Sequence, residues 1–128
     1  MRHLIRLSYD GSAFCGWQIQ NNAKTVQGEL EKALKTFLGI EIPVTGAGRT
    51  DTDVNAINYI AHIEIPDEVR TDAAQLCYKL NAILPKTITV HEVSEAAEDF
   101  HARFDATSRE YHYFVHFKKD PFCEKFSY

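Results

Sequence analysis

The stretch INYIAHIEI, residues 57–65, restricts the fold of this chain more than any other. Ile57, Tyr59, Ala61, Ile63 and Ile65 fall on one side of a period-two alternation, and Asn58, His62 and Glu64 fall on the other. That pattern describes a strand with one buried and one polar face. A half-buried strand needs neighbours to pair with and an apolar layer over its inner side.

Both are readable elsewhere in the chain. HLIRLSY puts Ile5, Leu7 and Tyr9 on one face and Arg6 and Ser8 on the other, which predicts a first strand. A polar loop, DGSAFCGWQIQNNAK, follows. Thr25 then stands as a cap ahead of Val26, Leu30, Leu34, Phe37 and Leu38, apolar positions at helical spacing, and Gly39 ends that helix. Glu31 and Lys35, four residues apart on its outer face, are expected to pair. A short strand is expected around 43–45. Thr71 is expected to cap a second helix through Ala73, Leu76, Cys77, Leu80 and Ile83, stopped by Pro85. Ile88, Val90 and Val93 mark another strand, and REYHYFVHF puts Tyr111, Tyr113, Val115 and Phe117 on one side of a last one. The order β-α-β-β-α-β-β predicts an α+β sandwich, an antiparallel or mixed sheet with two helices on one face.

With 128 residues, 45% hydrophobic and 25% charged, the chain has the make-up of one globular domain, which excludes disordered and collagen-like classes. No apolar run approaches the roughly 20 residues of a membrane helix. The opening MRHLIRLSYDG lacks the apolar segment of a secretory signal. Cys15, Cys77 and Cys123 are far apart and odd in number, which points to reduced thiols in a cytosolic, cytoplasmic protein. They form no CxxC pair for a thiolate zinc site. The net charge of −4 runs against nucleic-acid binding, which calls for a basic surface. Convergence of Arg2, Arg6, Lys24, Arg49, Arg103 and Arg109 on one side would answer that objection.

Chemistry is concentrated in GAGRTDTDVNA, residues 46–56. DTDVNAINYIAH supplies the first three ligand positions of a calcium loop in Asp51, Asp53 and Asn55. It has Ala56 where such a loop needs glycine and His62 where it needs glutamate, so the calcium reading fails. A nucleophilic carboxylate needs to be ionised, rigid and near an opposite charge. Arg49, two residues before Asp51, can supply that charge, and the glycines beside Ala47 allow a ligand close to the backbone. By composition alone the loop fits a solvated turn better, with Asp51 capping local N–H groups.

The neighbouring segments bear on that choice. YDGSAFCGWQIQ, TVQGELEKAL, GAGRTD and FHARFDATSREYHYFV occur in this order, and with them the chain resembles the N-terminal half of the TruA-type tRNA pseudouridine synthases. The resemblance covers essentially all 128 residues and implies a longer protein whose second half folds onto this one. It implies a ferredoxin-like half of the pseudouridine synthase fold, with Asp51 as the catalytic nucleophile. Arg49 would extrude and hold the target nucleotide, and Tyr111 would stack on the flipped uracil. By the same resemblance, uridine becomes pseudouridine in the anticodon stem-loop of tRNA, at positions 38 to 40, without a cofactor and in a homodimer. Isomerisation breaks a glycosidic bond and remakes it through C5, so a carboxylate is needed as covalent nucleophile or as base. No water is consumed, so a second carboxylate such as Asp53 is unnecessary, unlike in glycoside hydrolases.

In one place the sequence departs from the family. GRTD is usually followed there by A-G-V-H, and here by Thr52-Asp53-Val54-Asn55. If that glycine has positive φ, aspartate is among the less costly replacements. Its charge would raise the carboxyl pKa of Asp51 and repel phosphate. A non-catalytic RNA-binding or assembly module is therefore the rival reading. Arg103, and less strongly Arg109, are candidates for contact with RNA or support of the site. Trp17 reads as core, and His112 with His116 as a structural pair lacking a third metal ligand.

Overall fold

The computed structural model describes residues 1–105. The first strand, β1 (Arg2–Tyr9), buries every second residue, His3, Ile5, Leu7 and Tyr9, as its alternation predicts. It sits between β3 (Ala56–Glu64) and β4 (Ile88–Glu95), antiparallel to both, and β2 (Thr45–Gly46) extends the sheet beyond β3. Two helices, α1 (Val26–Leu38) and α2 (Ala73–Ile83), connect β1 to β2 and β3 to β4. The sheet order β2-β3-β1-β4 with these crossovers is the ferredoxin-like split βαβ arrangement, an α+β fold. The expected strand at 109–117 lies outside the described residues.

Local chemistry accounts for most element ends. The Thr25 hydroxyl accepts the Gly28 N–H at 3.2 Å and opens α1, and Gly39 closes it at φ 79°. Leu84, ahead of Pro85, turns to an extended conformation and ends α2. Two expectations fail here. The α2 cap is Asp72, whose carboxylate accepts the Gln75 N–H at 2.7 Å, and Thr71 lies one residue outside. Glu31 and Lys35 do not pair: Glu31 accepts the Val44 N–H at 3.0 Å while Lys35 reaches Glu41 at 3.2 Å. A buried backbone donor needing a partner outweighs an exposed helix pair worth a few tenths of a kcal/mol.

Val26, Leu30 and Leu34 of α1 and Leu76 and Leu80 of α2 are fully buried in one cluster with Ile5, Leu7 and Ile63 from the sheet. This is the expected single core between helices and sheet. Both long neighbours of β1 carry a β-bulge. In β3, Leu7 pairs with Tyr59 and Tyr9 with Ala56, so Ile57 and Asn58 together oppose Ser8. Asn58 takes φ 55° and is held by Arg6 at 2.9 Å and by the Ser8 hydroxyl at 3.0 Å. The extra residue flips Ile57 out of the expected inner face and leaves it 81% exposed. In β4, Arg6 pairs with Glu92 and Leu7 with Val90, so His91 is the extra residue and Val90 and Val93 both point inward.

Candidate active site

Loop 47–55 leaves the short strand β2 and re-enters the sheet at the β3 bulge, tied down on the way by contacts far apart in sequence. The Ala47 N–H donates to Ile60 O at 2.9 Å. The Tyr59 hydroxyl donates to the Gly48 carbonyl and accepts the Gly48 N–H. Thr50 is gripped twice, by the Tyr9 hydroxyl at 2.7 Å through its Oγ1 and by the Trp17 N–H at 3.2 Å through its carbonyl. Asn55 Oδ1 accepts the Gly11 N–H at 2.7 Å, and Val54 N–H closes a turn on Asp51 O at 3.2 Å.

Under these anchors lies an aromatic cluster. Trp17 packs 4.5 Å from Tyr59 and 6.3 Å from Tyr9, with Tyr9 and Tyr59 edge-on at 5.8 Å. Trp17 is 3% exposed, so it is core, as its composition-based reading expects. Burial pushes the Tyr9 phenol upward, against the opposing hydrogen bond to Thr50. Gly46 admits this packing: a Cβ there would lie 2.2 Å from the Tyr59 hydroxyl and 2.6 Å from the indole. Gly11 is equally constrained, since its Cβ would lie 1.9 Å from Val54 O. Asp53 adopts φ 70°, a left-handed conformation that aspartate tolerates better than most residues.

Above the cluster opens a groove of about 800 Å³ whose described lining includes Trp17, Gln27, Arg49, Arg103 and Phe104. Two residues singled out from sequence, Arg49 and Arg103, thus meet across one groove although 54 positions separate them in the chain (103 − 49). Asp51 is exposed two residues beyond Arg49. Arg49 lines the groove and forms no ion pair with Asp51 within 4.0 Å. Arg2 and Arg6 do not converge here, being engaged by Glu64 at 3.2 Å and Glu92 at 3.6 Å. Tyr111, Arg109, His112, His116 and Cys123 lie outside the described residues. Among the described residues no three of His, Cys, Asp and Glu are grouped to hold a metal. Asn55, one of the would-be calcium ligands, already accepts from Gly11.

Sequence reasoning missed the far wall of the groove. Residues 100–105 fold back over the polar face of β3 and bury His62 to 6% exposure. His62 Nδ1 accepts the Ala102 N–H at 3.0 Å, and Arg2 donates to Phe100 O. Burial, then the nearby Arg2 and His101, lower the His62 pKa, which fits a neutral ring accepting at Nδ1. His101 is edge-on to His62 at 4.7 Å and stacked on Phe104 at 4.1 Å. The only signal of this wall in the sequence is the FHARF motif itself.

Comparison with known proteins bears on what such a site does. A family model described as tRNA pseudouridine synthase matches residues 6–105. The chain is 43% identical over 123 residues to tRNA pseudouridine synthase A of Porphyromonas gingivalis, covering 96% of this chain and 49% of that protein. It is 46% identical over 127 residues to the protein of that name from Parabacteroides distasonis, covering 99% and 50%. With that from Colwellia psychrerythraea it shares 45% over 118 residues, covering 92% and 45%. The chain belongs to the tRNA pseudouridine synthase family, and it spans about half the length of the curated relatives it matches.

Proposed function

We propose that this chain is the N-terminal, aspartate-bearing half of a cytoplasmic, homodimeric tRNA pseudouridine synthase acting at positions 38 to 40 of the anticodon stem-loop. The observation that carries this reading is the exposed Asp51 on a loop tied to Tyr9, Gly11, Trp17 and Tyr59, beside a groove lined by Arg49 and Arg103. Rigid presentation of an ionised group is what attack on carbon demands. In the reaction C1′–N1 breaks, the uracil turns, C1′–C5 forms, the C5 proton leaves and N1 takes one up. Asp51 supplies the carboxylate, Arg49 helps hold the extruded nucleotide, Tyr111 stacks on the uracil and Arg103 binds its backbone. Extrusion of a base costs a few kcal/mol, which cationic and aromatic contacts offset.

Because the C5 proton is lost, tritium release from tRNA carrying 5-tritiated uridine reports the reaction directly. The full-length protein is expected to release tritium, and Asp51→Ala to lose at least about a hundredfold of that rate with its melting temperature unchanged. A folded protein that binds tRNA yet releases nothing would overturn the isomerase reading in favour of an RNA-binding module.

A further inference from the structure

The groove wall opposite Arg49 ends in an exposed aromatic ring. Phe104 is 77% exposed, and one ring face is stacked on His101 at 4.1 Å with 26° between planes. The ring's exposure therefore lies on its other face, toward the groove it lines. Its support is rooted in the sheet. Phe104 and Arg103 N–H groups both donate to His101 Nδ1 at 3.2 Å, the His101 N–H donates to Asp105 at 2.6 Å, and His101 packs edge-on against buried His62. A large apolar ring already stacked on one face has less freedom left for binding to remove.

The groove's charge identifies the occupant. In a chain of net charge −4, its described lining contains Arg49 and Arg103 and neither Asp nor Glu. An open ring flanked by two guanidinium groups matches a planar aromatic heterocycle attached to phosphate. We propose that Phe104 is the stacking platform for an unpaired nucleobase of the RNA substrate, distinct from the uridine that Tyr111 is proposed to cover. This inference rests on the RNA-modifying reading of the site and names a contact which that reading does not assign.

The test is anisotropy of a labelled RNA hairpin with a uridine-containing loop, titrated with the full-length protein at several salt concentrations. Phe104→Ala and Phe104→Leu are both expected to weaken binding by about five- to hundredfold, and Phe104→Trp to restore it. The salt slope should be unchanged in the Phe104 variants and reduced by about one in Arg103→Ala. The ring is exposed, so these substitutions leave the core packing unchanged, and circular dichroism checks that the variants fold. Binding by Phe104→Leu equal to that of the unsubstituted protein would overturn the proposal in favour of a simple apolar contact, such as one with a protein segment. Unchanged binding in Phe104→Ala, or no RNA binding at all, would also overturn it. Tritium release with binding indifferent to position 104 defeats the stack and leaves the isomerase. Aromatic-dependent binding without tritium release does the reverse.

Discussion

The helix–sheet core and the loop at 47–55 are held by opposite means. Val26, Leu30 and Leu34 of α1 are fully buried in a core cluster drawn from both layers, so their contribution is spread over area. Arg49 and residues 51–55 are exposed, and the loop's position depends on a handful of single contacts to Tyr9, Gly11, Trp17 and Tyr59. Each such hydrogen bond is worth only about 1 kcal/mol net. Substitutions in the core therefore change how stable the protein is, and substitutions at the anchors change where Asp51 and Arg49 sit.

The largest effect on stability belongs to the core. Leu34→Ala removes a fully buried side chain of the core cluster, and is expected to cost about 2–5 kcal/mol in urea unfolding. Because small domains have only about 5–15 kcal/mol in total, this is a large share. The reaction rate of the fraction still folded should stay close to that of the unsubstituted protein. A cost below about 1 kcal/mol would mean that the core collapses around the gap, and the contrast with the loop would weaken.

Gly46 belongs to both regions, as a residue of β2 and as the surface against which Trp17 and Tyr59 pack. Gly46→Ala places a methyl group 2.2 Å from the Tyr59 hydroxyl and 2.6 Å from the indole, so the aromatic pair has to move. Overpacking of that kind costs about 1–3 kcal/mol. It should also shift the emission of Trp17, the chain's single tryptophan, and lower activity more than the stability loss explains, because Tyr59 carries Gly48. Normal activity with shifted emission would show that the loop keeps its place without the Tyr59 anchor.

What could be read from the sequence divides along the same line. The faces of β1, the spacing of α1 and its Thr25 and Gly39 ends are local patterns, and they stand as expected. The bulges could not be read, since an extra residue in a strand leaves alternation intact on paper while turning Ile57 outward. Asp72 and Thr71 are both good caps one residue apart, and only helix geometry separates them. In the site, GRTD drew attention to Arg49 and Asp51. The clasps that hold the loop join residues 41 and 44 positions apart, Tyr9 to Thr50 and Gly11 to Asn55, and no spacing rule encodes them. His62 was placed correctly on the polar face, yet its burial depends on 100–105 folding back over it.

That fold-back is sensitive to acid through His62, and it joins the two regions. His62 accepts from Ala102 through Nδ1, and protonation would turn this acceptor into a donor facing another donor. The groups facing it are Arg2 and His101, which lower its pKa along with the dominant effect of burial, and Glu64, which opposes them. The folded pKa thus lies below the unfolded value near 6.5, so the unfolded chain binds more protons as the solution is acidified. The stability contributed by neutral His62 is fully present above about pH 7 and is lost as the pH falls through 6.5 toward the folded pKa. Urea unfolding at mildly acid and neutral pH should show a loss on acidification that is smaller than either core effect and reduced in His62→Asn. Amide exchange should locate the first loss of protection at Ala102 and Phe104 while α1 remains protected. Equal loosening of α1 at the same pH would mean that the fold-back and the core open as one unit, and the groove wall would share the stability of the core on which it rests.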